Sequence, residues 1–151
     1  MILKTDYNTS NITQWFYFRV NNTRRLRKYK FNIINFVKPD SVYNEGMKVA
    51  MYSCKDVKAT GGGWRRVGND IAYFQNQTKR RNGGFHYTLT FTVELPCNSY
   101  LTVDDNDTVY FAHCFPYSYS DLVRYLSKLA IPANRNIVRK VTLTKTTAGN
   151  K

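Results

Sequence analysis

Phe111-Ala112-His113-Cys114-Phe115-Pro116-Tyr117-Ser118-Tyr119-Ser120-Asp121 marks a change of rhythm in the chain. Upstream of it, apolar residues alternate every second position, the period of a β-strand with one buried face. Downstream they recur at three-to-four spacing, the period of an amphipathic helix. Thr108 to Phe115 offer β-branched and aromatic side chains for a last strand, and Pro116 cannot donate to a ladder, so pairing is expected to stop there. Ser118 or Ser120 can cap a helix over about 120–130, with Leu122, Val123, Leu126, Leu129 and Ala130 on one stripe and Pro132 as its stop.

Working upstream, Phe16, Phe18 and Val20 alternate with Trp15, Tyr17 and Arg19, and a second alternating run covers 29–36. The turn residues Asn21-Asn22-Thr23 and the basic residues Arg24, Arg25, Arg27 and Lys28 lie between them, which reads as an antiparallel hairpin with a basic tip. A short strand is expected over 48–52, a flexible turn at Gly61-Gly62-Gly63, and two short strands about Gly68-Asn69. After the basic loop Lys79-Arg80-Arg81-Asn82-Gly83-Gly84, the strongest strand places Tyr87, Leu89, Phe91, Val93 and Leu95 on one face and mostly Thr on a wetter one. Residues 1–13 are polar and read as a loosely held arm. About eight short strands without crossover helices argue for a mainly β chain, an antiparallel β-sandwich. Downstream of the helix, 138–145 alternates again as one more strand, but 116–151 is too short to bury a core of its own.

The chain has 151 residues, room for one ordinary domain, and its 42% hydrophobic and 15% aromatic content suits a folded β-rich core rather than disorder. Its formal charge of +13 implies an acidic partner without choosing among nucleic acid, an anionic membrane and an acidic polypeptide. Residues 1–115 hold 16 basic and 9 acidic side chains, giving +7, and 116–151 hold 7 and 1, giving +6, so the tail is the more densely basic part. Cys54, Cys97 and Cys114 are odd in number and widely spaced, which suggests reduced thiols rather than a disulfide framework or a zinc ribbon. No signal peptide or membrane-length apolar run is visible, so a cytosolic protein without a membrane partner is expected.

Taken together, Gln14 to Val20, Tyr29 to Asn35, Lys38-Pro39-Asp40-Ser41-Val42-Tyr43-Asn44, Gly63-Trp64-Arg65-Arg66-Val67-Gly68 and Phe111 to Leu122 resemble the amino-terminal region of the cytosolic carboxypeptidases. In that family a β-sandwich precedes a zinc carboxypeptidase domain that removes glutamates from tubulin tails and other acidic proteins. The resemblance implies an accessory sandwich over 1–115 and, over 116–151, the helix and first strand of a truncated α/β peptidase domain. It further implies cytoplasmic residence, with association with microtubules or cilia. The expected partners are the catalytic domain and glutamate-rich tails.

The family's zinc-binding His-x-x-Glu pair would lie beyond this stretch. The only two histidines, His86 and His113, have no Glu three residues on, so no zinc site or catalytic residue is expected in this chain, and it should be inactive alone. Zinc is expected only in a full-length parent. Arg24, Arg25, Arg27, Lys28, Arg65, Arg66, Lys79, Arg80 and Arg81 are the candidate contacts for an acidic tail, with solvated loops as the plainer reading. His113, Phe115, Tyr117 and Tyr119 are the candidates for packing between sandwich and peptidase domain. The alternative is a non-catalytic module for microtubules or single-stranded nucleic acid, although aromatics alternating into a core argue against the latter.

Overall fold

Alternating apolar residues build seven strands among the described residues: β1 (Tyr17–Thr23), β2 (Lys28–Phe36), β3 (Val49–Ser53), β4 (Arg65–Val67), β5 (Asn69–Lys79), β6 (Phe85–Glu94) and β7 (Asp107–Ala112). The computed structural model describes all of the chain except residues 6–8, 11, 24–26, 96–106 and 135. One antiparallel sheet has the order β1-β7-β3-β4 and the other β2-β6-β5, which makes a β-sandwich. Two units emerge, Met1–Phe115 and Pro116–Lys151.

The core is aromatic. Phe18 and Phe111 from one sheet meet Phe31 and Phe91 from the other, with Phe31 stacked on Phe91 at 5.2 Å and tilted against Phe111 at 5.1 Å. Phe91, Phe111, Ile33, Met51, Leu89, Val49 and Val109 are the largest side chains fully out of solvent. Such ring pairs add about 0.5–1.5 kcal/mol each beyond the area they bury.

Several expectations change once strands find partners. β1 and β2 are not a hairpin: β1 pairs with β7 and β2 with β6, so the chain changes sheet between them. Period-two alternation reports which face is apolar, but not which neighbour supplies the ladder. The same holds at Gly68, whose φ of +119° lets the chain leave β4, paired with β3, for β5, paired with β6. The Thr face of β6 is not wet either, since Thr88 and Thr90 are 5% and 8% exposed in the central strand of its sheet.

A helix stands at 54–60, where the sequence reading assigned no element: α1 (Cys54–Thr60) starts on Ser53, whose Oγ accepts from Asp56 N, and ends on Gly61 at φ +71°. The Ser-x-x-Asp spacing and the following Gly were its signals. The amino-terminal arm is pinned along β2, with Ile34 N donating to Met1 O at 3.0 Å and Asn35 Nδ2 to Leu3 O at 2.8 Å.

In the second unit, α2 (Tyr119–Leu129) begins on Ser118, whose hydroxyl accepts from Asp121 N while the Asp121 carboxylate accepts from Ser118 N. The strand expected over 138–145 is absent: these residues belong to no ladder, because a strand needs a partner and none pairs with them among the described residues.

Candidate functional site

His113 sits just after β7, and both its backbone and its ring find partners. Its backbone N donates to Phe16 O at 3.0 Å, and its ring meets Trp15, Phe16 and Tyr43 edge-on at 5.6, 5.9 and 5.5 Å. The Tyr43 hydroxyl lies 3.0 Å from Nδ1. Burial pushes the Tyr43 phenol well above its usual value, so it stays neutral in its hydrogen bond with the imidazole. Burial first, and the Arg66 guanidinium second, hold His113 below its usual value of 6.5.

Arg66 acts as a clamp. Its guanidinium donates to Lys48 O at 2.6 Å and His113 O at 2.8 Å, approaches Cys114 Sγ at 3.8 Å, and lies 5.3 Å from the Phe115 ring centre. Beside it, Arg65 pairs with the Asp56 carboxylate on α1. One nitrogen of Arg66, Nη1, is therefore directed at both backbone carbonyls, and Arg65 already has a carboxylate.

The remaining basic groups do not gather. Lys28 stands opposite Glu94 and Lys79 opposite Phe85, the two ends of β6. Nine steps along an extended strand separate those ends by roughly 30 Å. Arg27 lies just before β2, and Arg80 and Arg81 lie in the loop after β5. Arg24 and Arg25, like Cys97, fall outside the described residues. Cys54 and Cys114 are free thiols.

Phe115 is 54% exposed at the end of the first unit; Tyr117 and Tyr119 are 66% and 43% exposed in the second, where Tyr119 Oη donates to Lys151 O at 3.4 Å. The sequence reading missed Tyr43, whose role is visible only once its short 3-10 turn, Val42–Glu45, brings it against a strand end. It also missed a row of rings on the outer face of the first sheet, where Tyr17 meets Tyr110 at 5.9 Å and Trp64 at 6.0 Å, and Tyr52 meets Trp64 at 5.5 Å. Strand alternation gave their common side, but strand order made them neighbours.

Among the described residues no group of three or more His, Cys, Asp and Glu is placed to hold a metal ion. Nor is any helix among the described residues long and apolar enough to cross a membrane.

The comparisons with known proteins agree with the resemblance. The family model for the cytosolic carboxypeptidase N-terminal domain matches residues 1–113. Cytosolic carboxypeptidase 2 of Xenopus tropicalis is 47% identical over 99% of this chain, and the human protein of that name 43% identical over 99%. Cytosolic carboxypeptidase 3 of Mus musculus is 42% identical over 84% of the chain. The chain spans only 15%, 16% and 12% of the lengths of these three relatives. With a β-sandwich of this topology and a family match over most of its length, the chain belongs to the cytosolic carboxypeptidase family and carries that family's N-terminal domain.

Proposed function

We propose that the chain serves as the non-catalytic accessory domain of a cytoplasmic zinc carboxypeptidase that trims glutamates from tubulin or other acidic tails. Residues 116–151 form the start of the peptidase domain, whose zinc ligands come from elsewhere in a longer protein. His113, Phe115, Tyr117 and Tyr119 are assigned to the packing between accessory sandwich and catalytic domain in that longer protein. The observation that carries this reading is the family match over residues 1–113.

The charge of +13 supports an acidic substrate. With basic groups at both ends of β6, the guiding surface is an elongated field and not one pocket. A tail of about nine extended residues would be needed to touch both ends. Arg27, Lys28, Lys79, Arg80 and Arg81 supply that field, whereas Arg65 and Arg66 chiefly hold the sandwich together.

Co-sedimentation of the chain with microtubules tests the guiding role. The chain should pellet with intact microtubules and lose most of that binding when the acidic tails are removed. Equal binding before and after removal would rule the guiding role out. No glutamate should be released from a model acidic peptide by the chain alone; release would show that a hydrolytic site had been overlooked.

A further inference from the structure

β2 is the outer strand of its sheet, and the chain's own amino-terminal arm shows what that free edge accepts. Met1 N donates to Asn32 O at 2.8 Å and Ile34 N donates to Met1 O at 3.0 Å, so Met1 lies opposite Ile33 with both bonds of a parallel ladder. The Asn35 side chain carries the pairing on, accepting from Leu3 N at 2.7 Å and donating to Leu3 O at 2.8 Å. The arm covers only this end of β2. Backbone groups alternate in direction along a strand, so Asn32 N–H, Lys30 N–H and the carbonyls of Lys30 and Lys28 also point away from β6. No strand among the described residues lies beyond them.

Burial changes at the same place. Beside the arm Ile33 is fully buried, whereas Phe31 and Tyr29, past its end, are only half-buried. β1 is an edge of the other sheet, and its Phe18 meets Phe31 at 5.7 Å, so half-buried Phe18 and Val20 line the opposite lip. All four rest on the core, which is therefore open along this side. Side chains of an added strand would alternate: those opposite Phe31 and Tyr29 would turn into the opening, and one opposite Lys30 would lie on the outer face. Across the ladder Lys28 stands opposite Glu94 but Lys30 opposite Thr92, so Lys30 faces no carboxylate on β6.

We propose that the edge from Lys28 to Asn32 binds an extended peptide as one more strand, parallel to β2, with apolar residues opposite Tyr29 and Phe31 and an acidic residue between them beside Lys30. Peptide N–H groups donate to Lys28 O and Lys30 O, and Lys30 N and Asn32 N donate to peptide carbonyls. The peptide stops short of Met1. Lysines along a free edge repel a second copy of that edge and select an acidic strand. This pairing goes beyond the trimming of acidic tails and does not rest on it.

The probe is acetyl-Glu-Val-Glu-Val-Glu-amide, titrated into the isotope-labelled 151-residue chain at constant ionic strength and read by nitrogen–proton NMR. The Lys30 and Asn32 amides should shift saturably and exchange about tenfold more slowly, while those of Lys79, on the far strand of the sheet, stay in place. The same peptide N-methylated at both valines keeps its charge and side chains but cannot donate to Lys28 O and Lys30 O. It should bind about tenfold more weakly or worse. Lys30→Pro, which removes an outward donor, and Lys30→Glu, which keeps the donor and reverses the charge, should each weaken binding by a similar factor. Lys58→Met, on α1, should leave it unchanged.

No saturable movement of Lys30 and Asn32 with the probe at about 10 mM overturns the proposal. So does equal binding of the N-methylated peptide, which would reduce the contact to charge alone. Movement of the same amides when the chain alone is concentrated would make a second copy the occupant and overturn it too. Unchanged Leu89 and Phe91 amides in each variant establish that the sandwich is folded. Microtubule pelleting does not enter these readings, so either proposal can fail without the other.

Discussion

At the scale of single side chains, Arg66 and His113 do work that their sequence neighbours do not reveal. Arg66 ties the chain before β3 to the residues after β7 through two carbonyls, so Arg66→Ala should destabilise the sandwich by about 1–3 kcal/mol, read from the shift in denaturation midpoint. Arg66→Lys should recover only part of this, since a lysine keeps one nitrogen for the carbonyls but loses the planar group beside Cys114 and Phe115.

His113 makes stability depend on pH. Its folded value lies below 6.5, so the unfolded chain takes up a proton near pH 6.5 that the folded chain refuses. Stability is therefore full above about pH 7, falls as pH drops through the folded value, and levels off below it. Denaturation midpoints between about pH 7 and 5 should fall more steeply for the natural chain than for His113→Gln. At the alkaline end the sign reverses: burial pushes Tyr73 up to about 12, with its hydroxyl donating to Lys38 O, so its contribution is present below about pH 10 and lost as pH rises past it. In the core, Phe91→Ala should cost about 3–5 kcal/mol, because both sheets would lose the ring they share.

At the scale of elements, the caps decide where helices begin. Ser118→Ala should cost α2 about 1 kcal/mol and lower the helical circular dichroism of the chain. The Asp121 carboxylate is held below its usual value by the Ser118 hydrogen bonds first and by Arg124 last, so this cap persists until pH falls below the ordinary carboxylate range. Residues 139–145, which no ladder holds, contrast with β6, the central strand of its sheet. Hydrogen exchange should find the amides of 139–145 exchanging near coil rates while those of Leu89 and Phe91 are among the slowest. Protection across 139–145 as strong as in β6 would contradict this assignment.

At the scale of the whole molecule, charge is the dominant feature. If acidic tails are the partners, binding should weaken steeply between about 50 and 200 mM salt, because exposed charges a Debye length apart are screened. Arg27 and Lys28 lie at the opposite end of the sheet from Lys79 to Arg81, so neutralising either end alone should weaken binding only in part and neutralising both should remove most of it. Affinity that ignores salt would exclude the electrostatic mechanism.

The amino-acid sequence by itself determined the class of fold, because alternation is local and each strand carries its own apolar face. It determined the change at Pro116, where a missing donor meets a capping serine, and it carried the family through motifs in a fixed order. Tertiary structure alone decided which strands became neighbours: β1 left β2 for β7, since ladder partners are chosen by the closing of two sheets over a shared aromatic core. The same closing set Arg66 against the carbonyls of Lys48 and His113. Composition counts charges, but only packing determines which are spent on the fold and which stay available to a partner.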